Sequence, residues 1–574
     1  MKPRMRLCPT LVRPRARSPY SFCARSHPLL AVALALALGW TLPAAWAASY
    51  YVDFAGGSDS RTGTSKDTAW KRCPGDEAAT GIPAATPLKP GDIVYFKGGV
   101  VYLGGITLSA SGQSGQEISF DGNHSGSWGP GRAVLDRGYE PSAVLASLAG
   151  VSHWTIRGFE IRNSGGYADD AAVLKSTEPL ITAPPAGTGV SFWNGGHKNI
   201  RLENLFIHRI GQWRNQLPFS GTNSITGTGI SLQNCEEVVV KNCELTKMRT
   251  AISIKATSAV KSVTVEGCDI HDYIVWGIDV APRKAGAVLE NIEILNTSIR
   301  DYHQYDKGNW LGAGEKPHTD GIFLRTAAMA STWKNITVAN CFFYTDNPGS
   351  SQGGTASIYV SQGPSVNIYN NLFVKDPHSR AIGIGHSNPS GMAEQIVRIY
   401  NNTFIEGPSH ILLAGEADPA RCSVYIQNNI FCRNLAANSV MVNHQSGAPP
   451  KVLDNNLYWS DDYSPDKKSV AYMGGYKTFA QLKAMGYEKG GVFGNPGFAV
   501  SAAPSAAQLD LRPMTGAAVA GGFNLSAFFS EDRFGLQRPK TGAWNVGAYL
   551  PRGGGPPQLI KPTGYLPAKP PSTN

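Results

Sequence analysis

One phrase, Val-x-Ile-x-Asn-Asn-x-Phe, returns along this chain at intervals that only a stacked fold can use. The clearest copies start at Val366, Val397 and Val424. Looser ones start at Trp154, Ile200, Val238, Val263, Ile292, Ile336 and Lys451, and a weak copy starts at Ile118. Successive starts from Trp154 onward lie 25 to 46 residues apart. Apolar residues alternate with polar ones at a period of two, which marks strands, and no helical period competes with it. A unit this short cannot bury its own apolar stripe. The copies must therefore stack and close a shared core, as in a solenoid.

A second phrase follows out of phase with the first. It reads TGISLQ at 228–233, TAISIK at 250–255, WGIDVA at 276–281, DGIFLR at 320–325 and RAIGIGH at 380–386. One coil is thus a Gly-Ile-x-Leu strand, a turn, a Val-x-Ile-x strand, a tight turn and a short x-Phe strand. The expected fold is all-β, a right-handed parallel β-helix of about ten to eleven coils with an N-terminal cap and a C-terminal capping segment. Asn204, Asn242, Asn296, Asn340, Asn370, Asn401, Asn428 and Asn455 share the tight-turn phase, with Gly267 as the exception. Asn and Gly accept a left-handed backbone at low cost, so this column is assigned to structure alone.

The first 47 residues carry seven Lys/Arg and no acid, then the apolar run Leu29–Leu42 and a small-residue site, Ala45-Trp46-Ala47. That is the pattern of a secretion signal cleaved after Ala47, and the apolar run is short for a membrane span. Most of the formal charge of +10 lies in this leader, which leaves about +3 on the remainder. The charge therefore argues against nucleic acid as a partner. No later stretch suggests a span, and a monomer is expected. Seven of the nine cysteines follow Ala47. Cys243, Cys268 and Cys341 fall just after the turn column and should stack inside the coil, whereas Cys422 and Cys432 flank one coil and are candidates for pairing.

Residues 48–115 read as the N-terminal cap, 116–457 as the β-helix, 458–550 as a C-terminal capping segment and 551–574 as a disordered Pro-rich tail. A short amphipathic helix is expected at 476–485. The opening YYVDFAGGSDSRTG, the phrase Pro90-Gly91-Asp92-Ile93-Val94-Tyr95 with Gly98-Gly99, and the closing DRFGLQRPKTGAWNVGAYL resemble secreted bacterial parallel β-helix proteins of the polysaccharide lyase and polygalacturonase-like group. The resemblance covers most of the chain after the leader and implies a polysaccharide substrate. His318-Thr-Asp320-Gly resembles the Asn-Thr-Asp-Gly of polygalacturonase-like hydrolases. Asp376-Pro-His378-Ser resembles part of a motif of alginate epimerases.

Three stretches, 162–189, 208–227 and 300–319, are longer than the repeat requires, and long insertions on a regular scaffold usually serve function. They should wall a groove floored by the Gly-Ile-x-Leu strands, with Tyr167, Trp213, Tyr302, His303 and Trp310 offering flat faces to sugar rings. On the floor, parity turns Ser231, Ser253, Asp279, Phe323 and Gly383 outward. Trp276 and Asp320 precede that column, and Lys255, Arg283 and Arg325 follow it. Cations outnumber acids, which favours β-elimination from a uronate. Lys255 or His318 would be the base, Arg283 and Arg325 would hold the carboxylate, and Tyr302, His303, Trp310 and Trp276 would contact the sugar. Asp279 and Asp320 would then position the sugar or bind calcium. Two alternatives stand beside this reading. One is an inverting glycoside hydrolase with Asp279 and Asp320 as its acid and base. The other is a glycan-binding or adhesion protein with no catalysis.

Overall fold

The computed structural model describes residues 47–165, 186–211, 227–302, 319–326, 330–346, 355–361, 363–376, 378–385, 393–407, 409–414, 422–434, 440–447, 449–460, 469–501, 505–513 and 519–551. Over these residues the chain winds into a parallel β-helix. The Val-x-Ile-x segments form one sheet of thirteen strands, from Ser49–Val52 to Val452–Asp454, each hydrogen-bonded to its equivalent one coil away. The x-Phe strands and the Gly-Ile-x-Leu strands form the other two faces. In two coils they run on as one bent strand, Glu244–Ala256 and Asp269–Pro282.

The turn column behaves as its chemistry dictates. Asn204, Asn242, Asn296, Asn340, Asn370, Asn401, Asn428 and Asn455 all have φ between 50° and 58°, and Gly267 has φ of 65°. The next position points into the tube. In the early coils it holds Cys243, Cys268 and Cys341, each at most 1 % exposed. Later it holds Asn371, Asn402, Asn429 and Asn456, which form an amide ladder. The side-chain oxygen of Asn402 accepts from both the backbone and the side-chain nitrogen of Asn371, at 2.9 and 3.0 Å. Asn429 does the same for Asn402, and Asn456 for Asn429. Glu488 terminates the ladder, accepting from the Asn456 backbone, the Asn456 side chain and the Tyr458 hydroxyl. No disulfide links Cys422 and Cys432, which are both buried thiols.

The outer surface of the x-Phe face changes character along the axis. In early coils it is charged, with Arg162 bonded to Asp136 and Glu160, and Arg300 to Asp269. From Phe342 and Tyr344 through Leu372, Val374, Ile405, Ile430 and Leu457 it is apolar. There the closing segment covers it with Leu509, Leu511, Val519, Val546 and Tyr549. Helix Phe479–Ala484 starts at a capping box of Thr478 and Gln481.

Candidate active site on the outer groove face

Five strands present the site: β1 (Thr188–Phe192), β2 (Thr228–Gln233), β3 (Glu244–Ala256), β4 (Asp269–Pro282) and β5 (Asp320–Arg325). Parity sends Ile230, Leu232, Ile252, Ile254, Ile278, Val280, Ile322 and Leu324 inward, all fully buried. Register aligns Ser191, Ser231, Ser253, Asp279, Phe323, Tyr359 and Gly383 in one outward column. Sequence reading found this column except Ser191 and Tyr359. Tyr359 was missed because Ser357 stands where the other coils have Gly or Ala.

Lys255 lies two residues after Ser253 and shares its outward face. Its ammonium reaches the carboxylate of Asp279 on the next coil and its side chain is only 1 % exposed. Arg325 grips the same carboxylate from the other side with two bonds of 3.2 Å, from Nε and Nη2. Burial strips water from Lys255 and is the main reason its proton affinity falls, to a pKa of about 7. Arg325 and Arg283 push the same way, while Asp279 opposes them. For Asp279, burial alone would raise the pKa, but the charges of Lys255 and Arg325 outweigh it and hold the carboxyl at about 2.

The indole of Trp276 is clasped by two guanidinium groups, Arg249 at 4.6 Å and Arg325 at 5.0 Å from the ring centre. Arg325 also lies 5.1 Å from the Phe323 ring, which tilts against Trp276 and stacks on Tyr359 at 5.5 Å. A cavity of about 710 Å³ opens beside these groups. Its lining includes Ser191, Ser231, Ser253, Arg249, Trp276, Asp279, Arg283 and Arg325. Arg283 is exposed within it. Arg249 escaped the sequence reading because Lys247 adopts a left-handed conformation at φ 58°, which breaks the parity count just ahead of the strand.

Several expectations are corrected by the geometry. Tyr302 is not a groove residue: it is 1 % exposed and packs in the core, 4.4 Å from the His378 ring. The cause is Asp301, whose φ of 43° turns the chain inward, as Asp272 does for Tyr273 one coil earlier. Asp320 and Asp279 are not neighbours. Asp320 lies opposite Trp276, three residues ahead of Asp279 along the strand, or about 10 Å. Asp320 is fully buried, and its Oδ1 accepts the backbone N–H of Ala356 at 3.2 Å. Both oxygens of Asp279 are already engaged by Lys255 and Arg325. The pair therefore does not fit a shared calcium ion. Among the described residues, no group of three or more His, Cys, Asp or Glu could hold a metal. His318, His303 and Trp310 lie outside the described residues, as do Tyr167 and Trp213.

Asp376 and His378 of the Asp376-Pro-His378-Ser phrase are buried, and Ser379 is exposed. His378 Nδ1 meets both Asp376 Oδ1, at 2.8 Å, and Ser357 Oγ, at 3.2 Å. A nucleophile relay needs the two partners on different ring nitrogens, so this trio is not one.

No protein-family model matches the sequence, and comparison with curated proteins found no match. Comparison with solved structures found partial likenesses at low identity. A GH136 lacto-N-biosidase from Eubacterium ramulus gives a TM-score of 0.43 at 13 % identity, covering 72 % of this chain and 64 % of that one. The pectate lyase Pel9A gives 0.44 at 13 % identity, covering 88 % and 96 %. A mannuronic-acid-specific polysaccharide family 6 lyase from human gut microbiota gives 0.39 at 13 % identity, covering 72 % and 88 %. This chain thus spans a little under two thirds of the lacto-N-biosidase.

Proposed function

We propose that this protein is an exported carbohydrate-active enzyme that cleaves a uronate-containing polysaccharide by β-elimination. The observation that carries the reading is Lys255, a buried amine with a pKa of about 7 paired to Asp279, the one acid in a cavity lined also by Arg249, Arg283 and Arg325. Such an amine is a substantial fraction free base at neutral pH. Arg283 and Arg249 would neutralise the uronate carboxylate and so acidify its C5 proton. Lys255 Nζ takes that proton, the C4–O4 bond breaks, a C4=C5 double bond forms and the departing oxygen takes up a proton. Arg325, tied to Asp279, positions the carboxylate that anchors Lys255.

The hydrolase alternative is disfavoured. A carboxyl held at about 2 is ionised at neutral pH and could serve only as the general base, yet both oxygens of Asp279 are engaged by Lys255 and Arg325 rather than free to activate a water. Export rests on the leader pattern before Ala47. No helix among the described residues is long and apolar enough to cross a membrane. Incubation with polymannuronate, polyguluronate and polygalacturonate tests the reaction type. Elimination creates a conjugated, ultraviolet-absorbing product, and reducing ends released without that absorbance would sink the proposal in favour of hydrolysis. Retention of glycan with no cleavage would favour a binding protein.

A further inference from the structure

The cavity is asymmetric about Asp279. On the side of the earlier coils the outward column is small and hydroxylated: Ser253, Ser231 and Ser191 lie in strand register, flanked by Thr250, Thr228 and Thr188, and the exposed indole of Trp193 lines the cavity beside Ser191 rather than in the column. From Ser191 to Asp279 this floor runs for three strand spacings, about 14 Å. On the side of the later coils the same column becomes Phe323 and Tyr359, stacked on each other, with Arg325 laid against Phe323 and Trp276. The filling continues one coil further. The Tyr359 ring lies across Gly383, where an added Cβ would meet ring atom Cδ2 at 2.6 Å and Arg380 Cδ at 3.1 Å. None of Phe323, Tyr359 and Gly383 lines the cavity.

We propose that the groove is a one-ended channel: the polysaccharide lies along the Ser/Thr floor and its terminus abuts the Trp276–Arg325–Phe323–Tyr359 step, so that cleavage releases short products from a chain end. The inference rests on the β-elimination reading for the position of the cut, but the step is a feature of shape and can be tested apart from it. Hydroxyls on the open side suit the hydroxyls of successive sugars. The two guanidiniums at the closed side, Arg249 and Arg283, suit a terminal residue carrying a carboxylate.

Products sized through the time course of polyuronate digestion decide the matter. The expected result is an unsaturated monosaccharide from the first time points, because the terminal residue held by Arg249 and Arg283 is also the one that loses its C5 proton, with polymer viscosity falling slowly. Ultraviolet-absorbing products that form a ladder of intermediate lengths would overturn the one-ended channel and leave elimination standing. The variant Phe323→Ser lowers the step and is expected to raise the proportion of longer products at least fivefold.

A binding arm does not depend on turnover. Short oligogalacturonates and oligomannuronates are labelled with a bulky dye at one terminus or at the other, and titrated against Lys255→Ala. A dye at one terminus should weaken binding at least tenfold and at the other less than twofold. Equal effects at both ends, or no binding of any oligouronate, would overturn the proposal even if elimination is not observed.

Discussion

Lys255 and Asp279 sit on neighbouring coils as an ion pair in which neither side chain is more than 2 % exposed. Such a pair contributes little net stability while intact, because desolvation offsets the attraction, yet breaking one side is costly. Asp279→Asn should therefore lower stability by roughly 3 kcal/mol, read by chemical denaturation. The wild type should lose this contribution below pH 3.8 and progressively toward about 2, because the folded carboxyl holds its proton less tightly than the unfolded one. Acid denaturation of the two proteins should converge there.

The same pair sets a pH profile. With the folded pKa of Lys255 lowered to about 7, kcat/KM should rise with pH through an inflection near that value and then level off. Asp279 is the group that raises the amine's proton affinity, so Asp279→Asn should move the inflection to lower pH. An inflection that stays in place would remove Lys255 from the base role.

Trp276 is partly exposed and clasped between Arg249 and Arg325. If this cluster contacts sugar, Trp276→Ala should raise KM about tenfold, equivalent to ~1.4 kcal/mol, and change kcat little. Steady-state kinetics at saturating and limiting substrate separate the two. A drop in kcat alone would assign Trp276 to support of the ion pair instead.

The scaffold was legible in the sequence to the level of single turns, and the site less so. Strand parity is local: Ile252 and Ile254 define Ser253 as outward whatever the rest of the chain does. The left-handed Asn column is local too, since its φ follows from residue chemistry. Tyr302 and Arg249 were misread or missed because non-Gly residues in left-handed conformations, Asp301 and Lys247, sit just upstream and break the count. Nothing in the residue types announces those bends. The separation of the two aspartates has a related cause. Asp279 and Asp320 are on adjacent coils but three residues out of register, and register between coils depends on insertion lengths. The grip of Lys255 and Arg325 on one carboxylate is a cross-coil contact of the same kind.

The two asparagines of the repeated phrase should respond differently to mutation. Asn242 holds a left-handed turn at φ 53°, so Asn242→Gly should be within about 0.5 kcal/mol of wild type. Asn429 is fully buried and bonded to Asn402 and Asn456 on both neighbouring coils, so Asn429→Ala should cost roughly 3 kcal/mol through orphaned amides. Urea unfolding of both variants checks the contrast.

Glu488 makes the ladder's end pH-sensitive. Burial is the largest influence on it and raises its carboxyl to about 7, against hydrogen bonds from Asn456 and Tyr458 that lower it. The folded state thus holds the proton more tightly than the unfolded state. Its stabilising contribution is complete below about pH 4.5 and is lost as pH rises through 7. Thermal melting should show that decline in the wild type, and Glu488→Gln should flatten it. An unchanged slope would mean that another group is responsible.

The account stands or falls on Lys255 as the base of an elimination. The most direct measurement is the rate of ultraviolet absorbance gained on uronate polymers at pH 8 by the wild type and Lys255→Ala, with folding of both checked by circular dichroism. The wild type should generate the conjugated product, and the variant should be at least a hundredfold slower while still binding oligouronate. A folded variant that eliminates within a few-fold of the wild-type rate would contradict the central claim.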